Sequence, residues 1–379
     1  MDIVFSSTQA AIPERQPYRI FGKDIRCFYP LFVIALGAIL ILSVFWMGSR
    51  YPALIHKAHD IGHIAVTSFI WNSELVAIPA TASFLEKVWG NFANWLWTMK
   101  IGMSFGLVMG ALLHTVFKFY PPTFGQNIYL NTLKGIIVGA PAGVCVNCAV
   151  PVACGINRGK ANLESALSFM FSSPTLNVIV ISIVFSALPI KYGIIQYGLI
   201  GLLLLGLVPL IVYVMNKSKV VEDDLEVSAC AIPLDQECNK TMLQAATEVM
   251  KEYGKNLWSL IKAAVPMMIL AAAISAVVVE LVPFQAIFSE VTFTGLLLTA
   301  LVSVFLPVPI ALDVIAAHYM YTQGVPAPYV MVLLFTLGTY SILPMIFLWQ
   351  EVSKKLSIGL YAMFVVLGLV AAYTISLFV

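Results

Sequence analysis

The chain has 379 residues, of which 60% are hydrophobic and only 11% charged, with a formal net charge of +2. A mean hydropathy of +0.92 excludes a soluble domain built on one core and points to a polytopic helical membrane protein. The balanced charge gives no case for nucleic acid, and six scattered cysteines are too few for a disulfide scaffold.

In chain order, the first residues, Met1-Asp-Ile-Val-Phe-Ser-Ser-Thr, are polar and carry an acid, unlike a cleavable secretory signal. Seven apolar segments approach the roughly 20 residues that a membrane span needs: 30–48, 95–117, 163–188, 193–215, 263–282, 328–348 and 358–379. Two more apolar stretches, 130–156 and 293–321, are interrupted, the first by Pro141, Gly143 and Pro151 and the second by Pro307 and Pro309. Such breaks predict re-entrant hairpins.

The distribution of basic residues supports that choice. With the N-terminus inside and both hairpins returning to their own side, Lys118, Lys134, Arg158, Lys160, Lys240, Lys251, Lys255, Lys354 and Lys355 all fall inside. Full crossings would move Arg158 and Lys160 out. The chain then divides into a cytoplasmic segment (1–28), an extra transmembrane helix with an external amphipathic segment (29–92), a first transport repeat (93–215), a cytoplasmic linker (216–256) and a second repeat (257–379). The expected fold is an all-α integral membrane protein of two inverted repeats, each with a broken re-entrant hairpin. The linker is too polar for lipid, although Met242, Ala245 and Val249 have helical spacing.

Four features could carry chemistry. His56, His59 and His63 fall on one helical face beside Asp60, a set that could ligate a transition metal or simply form a solvated face. Cys145 and Cys148 have C-x-x-C spacing, with Asn147 between them and Cys154 beyond Pro151. Thiolates suit soft metals and metalloids, C-x-x-C also occurs in redox motifs, and cysteine is common in apolar cores. Ser172-Ser-Pro-Thr-Leu-Asn177 places Ser173, Thr175 and Asn177 at bilayer depth, where they could line a cavity or bond between helices. Asp313 and His318 lie in the second broken stretch, as a cation or proton site or as a structural pair.

The segments Val144-Cys-Val-Asn-Cys-Ala-Val-Pro-Val-Ala, Gly159-Lys-Ala, Ala166-Leu-Ser-Phe and Ser172-Ser-Pro-Thr-Leu-Asn resemble the core of the predicted permeases of the ArsP/YraQ type. Leu306-Pro with Asp313-Val-Ile-Ala-Ala resembles the second half of that family. The resemblance covers most of 93–379 and implies a permease; characterised organoarsenical permeases of the family export trivalent arsenic compounds. Cys148 matches the family's second hairpin cysteine, while Cys145 is displaced by one residue from the first. Gly338-Thr-Tyr-Ser stands where the family often has Gly-Pro and an acid.

The sequence-based expectation is a secondary-type permease in the bacterial inner membrane, N-terminus cytoplasmic, exporting a thiophilic metal, metalloid or thiol compound. No G-x-x-x-x-G-K-[ST] loop is present. Cys145, Cys148, Cys154, Asn147, Ser173, Thr175, Asn177, Asp313 and His318 would bind substrate, and His56, His59, Asp60 and His63 a metal. No cofactor is required, although a transition-metal ion is compatible with the histidine face. Expected partners are the lipid bilayer and the substrate, with no nucleic acid; a homo-oligomer is compatible. The rival readings are a membrane thiol-disulfide oxidoreductase using Cys145/Cys148 and a metal-binding sensor or docking protein.

Overall fold

The computed structural model describes residues 19–20, 23–24, 28–50, 52, 55, 75–79, 81–120, 127–158, 162–217, 241–281, 288 and 290–378. His56, His59, Asp60 and His63 lie outside the described residues, as do Cys27, Cys230 and Cys238. Apart from a two-residue antiparallel pairing of β1 (Arg19–Ile20) with β2 (Lys23–Asp24), the elements are helices. Five of these are long and apolar enough to cross a membrane, or six if one bent pair counts as a single span. The protein is an all-helical membrane protein.

Helix α1 (Tyr29–Phe45) continues through a π turn at Trp46–Arg50 and leaves Phe32, Leu36, Ile39 and Leu40 exposed. A helix apolar on nearly every side and packed on few neighbours has lipid as its solvent. Helix α2 (Phe84–Phe119) opens with a capping box, in which Ser83 and Glu86 satisfy each other's backbone N–H groups. Next come α3 (Ile128–Ala142) and α4 (Val146–Arg158), then α5 (Leu163–Thr175) and α6 (Val178–Ala187), bent by 43° at their junction. A single apolar rod, Ile190–Met215, follows; it comprises α7 (Ile190–Leu202), a π turn and α8 (Val208–Lys217).

The second half takes the same order. Helix α9 (Met242–Leu281) is long; α10 (Phe293–Phe305) and α11 (Leu312–Thr322) form a broken pair. Helices α12 (Ala327–Thr336) and α13 (Ile342–Glu351) form a second broken pair, and α14 (Lys354–Ser376) is a span. One expected span changes in detail. The stretch 328–348 is two ten-residue helices separated at 337–341, because Gly338 sits in the gap and Ser341 caps α13 by accepting from the Leu343 N–H. The helical spacing at Met242, Ala245 and Val249 is the start of α9, which is tied to α2 by a Lys118–Glu252 ion pair at 2.5 Å.

Side-chain contacts fix the helix directions. Helices α3 and α5 run parallel, since Asn131 bonds Glu164 at one end and Ala140 O accepts from Asn177 at the other. Helix α4 ends five residues before α5 begins, so it must return to the level of Asn131. The pair α3/α4 is therefore a helical hairpin. The same logic holds for α10/α11: Tyr329 OH donates to Glu290 O, Ser303 and Thr336 hydroxyls meet at 2.6 Å, and α11 ends just before α12. Helices α2 and α9 are antiparallel, with Asn91 on Glu280 at one end and Asn256 on Thr115 near the other. The two hairpins consequently start from opposite ends of the bundle.

Candidate functional site

The first hairpin turns at Gly143, whose φ of +55 places it in the left-handed region open to glycine. The next N–H, of Val144, donates to Ser173 Oγ at 3.1 Å, so α5 caps the break. Asn177 seals it from the other side: its amide donates to Ala140 O, and its oxygen accepts from Ile179 N–H at the start of α6. Thr175 instead bonds back to Phe171 O within its own helix at 2.7 Å.

Helix α4 then begins, with Cys145 just before it and Cys148 in its first turn. Cys145 Sγ and Cys148 Sγ lie 2.7 Å apart and both are buried. Pro151 does not break the chain as expected; α4 runs through it. Helix α4 is clamped on α2 at backbone distance through this stretch. A Cβ at Gly106 would strike Cys148 O, and one at Gly110 the Pro151 backbone. An unbroken α4 keeps Cys154 away from the pair, roughly 9 Å further along the axis at 1.5 Å per residue. There it lines a narrow, almost wholly apolar cleft with Pro151, Met267, Met268, Phe347 and Glu351.

Asn147 joins the halves. Its amide donates to Val308 O at 3.1 Å, in the break of the second hairpin, and its oxygen accepts from Ser341 Oγ at 2.5 Å, in the break between α12 and α13. Trp95 of α2 adds a bond from its indole N–H to Pro307 O at 2.7 Å. The hairpin tips thus meet inside the bundle. Asp313, in the first turn of α11 and buried, faces the same α12–α13 break: a Cβ at Gly338 would come within 2.6 Å of its Oδ2. His318 lies five residues further on, so it projects from another side of α11, and its Nδ1 is 2.7 Å from Ala187 O.

The arrangement therefore gathers Cys145, Cys148, Asn147, Ser173, Asn177 and Asp313 around four chain breaks, and sets Thr175, Cys154 and His318 apart. Sequence reasoning noted Gly338 and Ser341 only as part of the departure at Gly338-Thr-Tyr-Ser, not as site residues, and missed Trp95. A Ser before an apolar run is a cap signal that could have shown Ser341; nothing in the sequence marks an indole that bonds a carbonyl 212 residues away. Among the described residues no group of three or more His, Cys, Asp or Glu side chains is placed to hold a metal. The pair of thiols offers two soft donors to a passing substrate.

A family profile described as "Predicted permease" (ArsP_1) matches residues 91–377, which include both hairpins and both broken spans. The chain belongs to this predicted permease family. The permease is also similar to the UPF0718 protein YraQ of Escherichia coli (strain K12), at 24% identity over 253 residues, covering 66% of this chain and 69% of the relative. No solved structure matches. Membership makes it a membrane transporter rather than an enzyme, so the thiol-disulfide oxidoreductase reading gives way.

Proposed function

We propose that this permease exports a thiophilic substrate (a soft metal ion, a metalloid or a thiol compound) through the junction of its two hairpins. The observation that carries the reading is the Cys145/Cys148 pair, 2.7 Å apart at the tip of a hairpin that ends inside the bundle. Soft sulfur donors select soft acceptors. Asn147, Asn177 and Asp313 supply the polar remainder of the pocket. The antiparallel α2/α9 pair supports reading the halves as inverted repeats, with alternating access by rocking of one half against the other. The basic residues near the helix ends support a cytoplasmic N-terminus and an inner-membrane location.

Liposome flux of arsenite, methylarsenite, Cu(I), Zn(II) and a small thiol tests this with wild type, Cys148→Ser and Cys154→Ser. At least one substrate is expected to move through wild type, to lose about tenfold or more in rate in Cys148→Ser, and to be nearly unchanged in Cys154→Ser. Equal flux through wild type and Cys148→Ser for every substrate overturns the reading.

A further inference from the structure

We infer that the permease binds a sodium ion between α3 and α5, at a site built from Glu164, Thr132 and Ser168 and supported by Asn131. The role as a coupling ion rests on the permease reading; the binding itself does not.

The contact between these helices is polar and sealed. Asn131, Thr132, Glu164, Ser165 and Ser168 are all at least nine-tenths buried. Two of the groups are spoken for: Asn131 Nδ2 donates to Glu164 Oε1 at 2.9 Å, and Ser165 Oγ to Asn131 O at 2.9 Å. Thr132 Oγ1 and Ser168 Oγ have no hydrogen-bond partner among the described residues, although both side chains are fully buried. Hydroxyls in helices ordinarily bond back to a carbonyl one turn earlier. In this protein Thr115, Thr175, Thr299, Ser303 and Thr336 all do so. Leaving two buried hydroxyls unmade costs about 1–3 kcal/mol each, which a ligand would recover.

The corresponding contact in the second half, α10 on α12, sharpens the point. There Thr299, Ser303 and Thr336 form a closed chain of hydrogen bonds, and among the described residues no carboxylate takes part in it. The same packing problem is thus solved without a ligand in one half, and left with open oxygens and an acid in the other. Gly135 sets the spacing: a Cβ there would press on Ser165 O and, at 2.9 Å, on Ser168 Cβ. Thr132 stands one turn before Gly135 on that side of α3.

The donor set names the ligand class. Carboxylate and hydroxyl oxygens are hard donors, and a single carboxylate balances a single positive charge. No lysine or arginine is among the buried residues described, and Lys134 on α3 is exposed. The blander account, an acid in the first turn of α5, explains Glu164 alone and leaves the two hydroxyls unexplained.

The test uses the purified full chain in detergent without transport substrate. Thermal unfolding and tryptophan fluorescence are followed in sodium, potassium and choline chloride at equal ionic strength. A saturable rise in midpoint with sodium over choline is expected, because a ligand that binds only the folded state stabilises it. Glu164→Gln should abolish it, and Thr132→Val and Ser168→Ala should each weaken sodium roughly tenfold, the loss of one ligating contact. The hydroxyl variants keep the test decisive should Glu164→Gln fail to fold. Equal midpoints in all three salts overturn the proposal, as does a sodium response intact in both hydroxyl variants, which would mean that water fills the gap. Loss of metal flux with sodium binding intact would count against the export reading alone.

Discussion

The two hairpins break in different ways, and the difference divides the work between them. The first breaks over 143–145 and puts side chains at its tip: Cys145, Asn147 and Cys148. The second breaks over 306–311, with Pro307 and Pro309, and offers main chain instead: Pro307 O to Trp95 and Val308 O to Asn147. Prolines lack an N–H, so such a stretch presents acceptors with few donors to satisfy. A tip made of side chains can be chemically selective. A tip made of carbonyls is a rigid counterpart; on the export reading proposed above, selectivity resides mainly in the first half.

The strongest way to break this comparison is to unseat the first hairpin. Gly110→Leu drives a side chain into the Pro151 backbone and should cost about 3 kcal/mol or more, seen as loss of the monodisperse peak in size-exclusion chromatography. Gly198→Leu, at a glycine with nothing within 4 Å, should keep that peak. Next in size is Asn147→Ala, which strips the Val308 carbonyl and the Ser341 hydroxyl of their shared partner. A loss of about 2 kcal/mol is expected, read as a lower unfolding midpoint in detergent. The smallest effects sharpen the contrast in backbone geometry. Gly143→Ala should destabilise by about 1–2 kcal/mol, because a side chain is unfavourable at its positive φ. Ala311 already carries that penalty at φ +63, so Ala311→Gly should instead raise the midpoint, by at most about 1 kcal/mol of stability. Two destabilised proteins would show that the breaks are not held by this torsion.

Much of this architecture was legible in the sequence. Apolar segments with proline and glycine at 141–151 and 307–309 marked both hairpins. The proline positions were a cruder guide. Pro141 lies next to the last residue of α3, Pro174 in the last turn of α5, and Pro151 and Pro266 inside helices that continue. Each proline removes one hydrogen bond, but the chain turns where a glycine torsion or a cap allows it, at Gly143, Asn177 and Ser341. The gap at 337–341 was masked because Gly338, Thr339 and Ser341 sit in a run otherwise apolar enough to pass as one span, and only the cap signal at Ser341 hinted at it. At the site, residue types pointed to Cys145, Cys148 and Asp313, while geometry decided which neighbours join them. Glu164 was passed over because an acid near a helix start is commonplace, and only three dimensions reveal that Thr132 and Ser168, on the same two helices, keep buried hydroxyls without a hydrogen-bond partner.

Four helices, α4, α6, α11 and α13, start at the central junction. Each start carries roughly half a unit of positive charge from its aligned peptide dipoles. No lysine or arginine is among the buried residues described, so the positive field there belongs to the backbone, offset in part by Asp313 on the start of α11. The backbone's share of that field does not titrate, and no single side-chain replacement removes it.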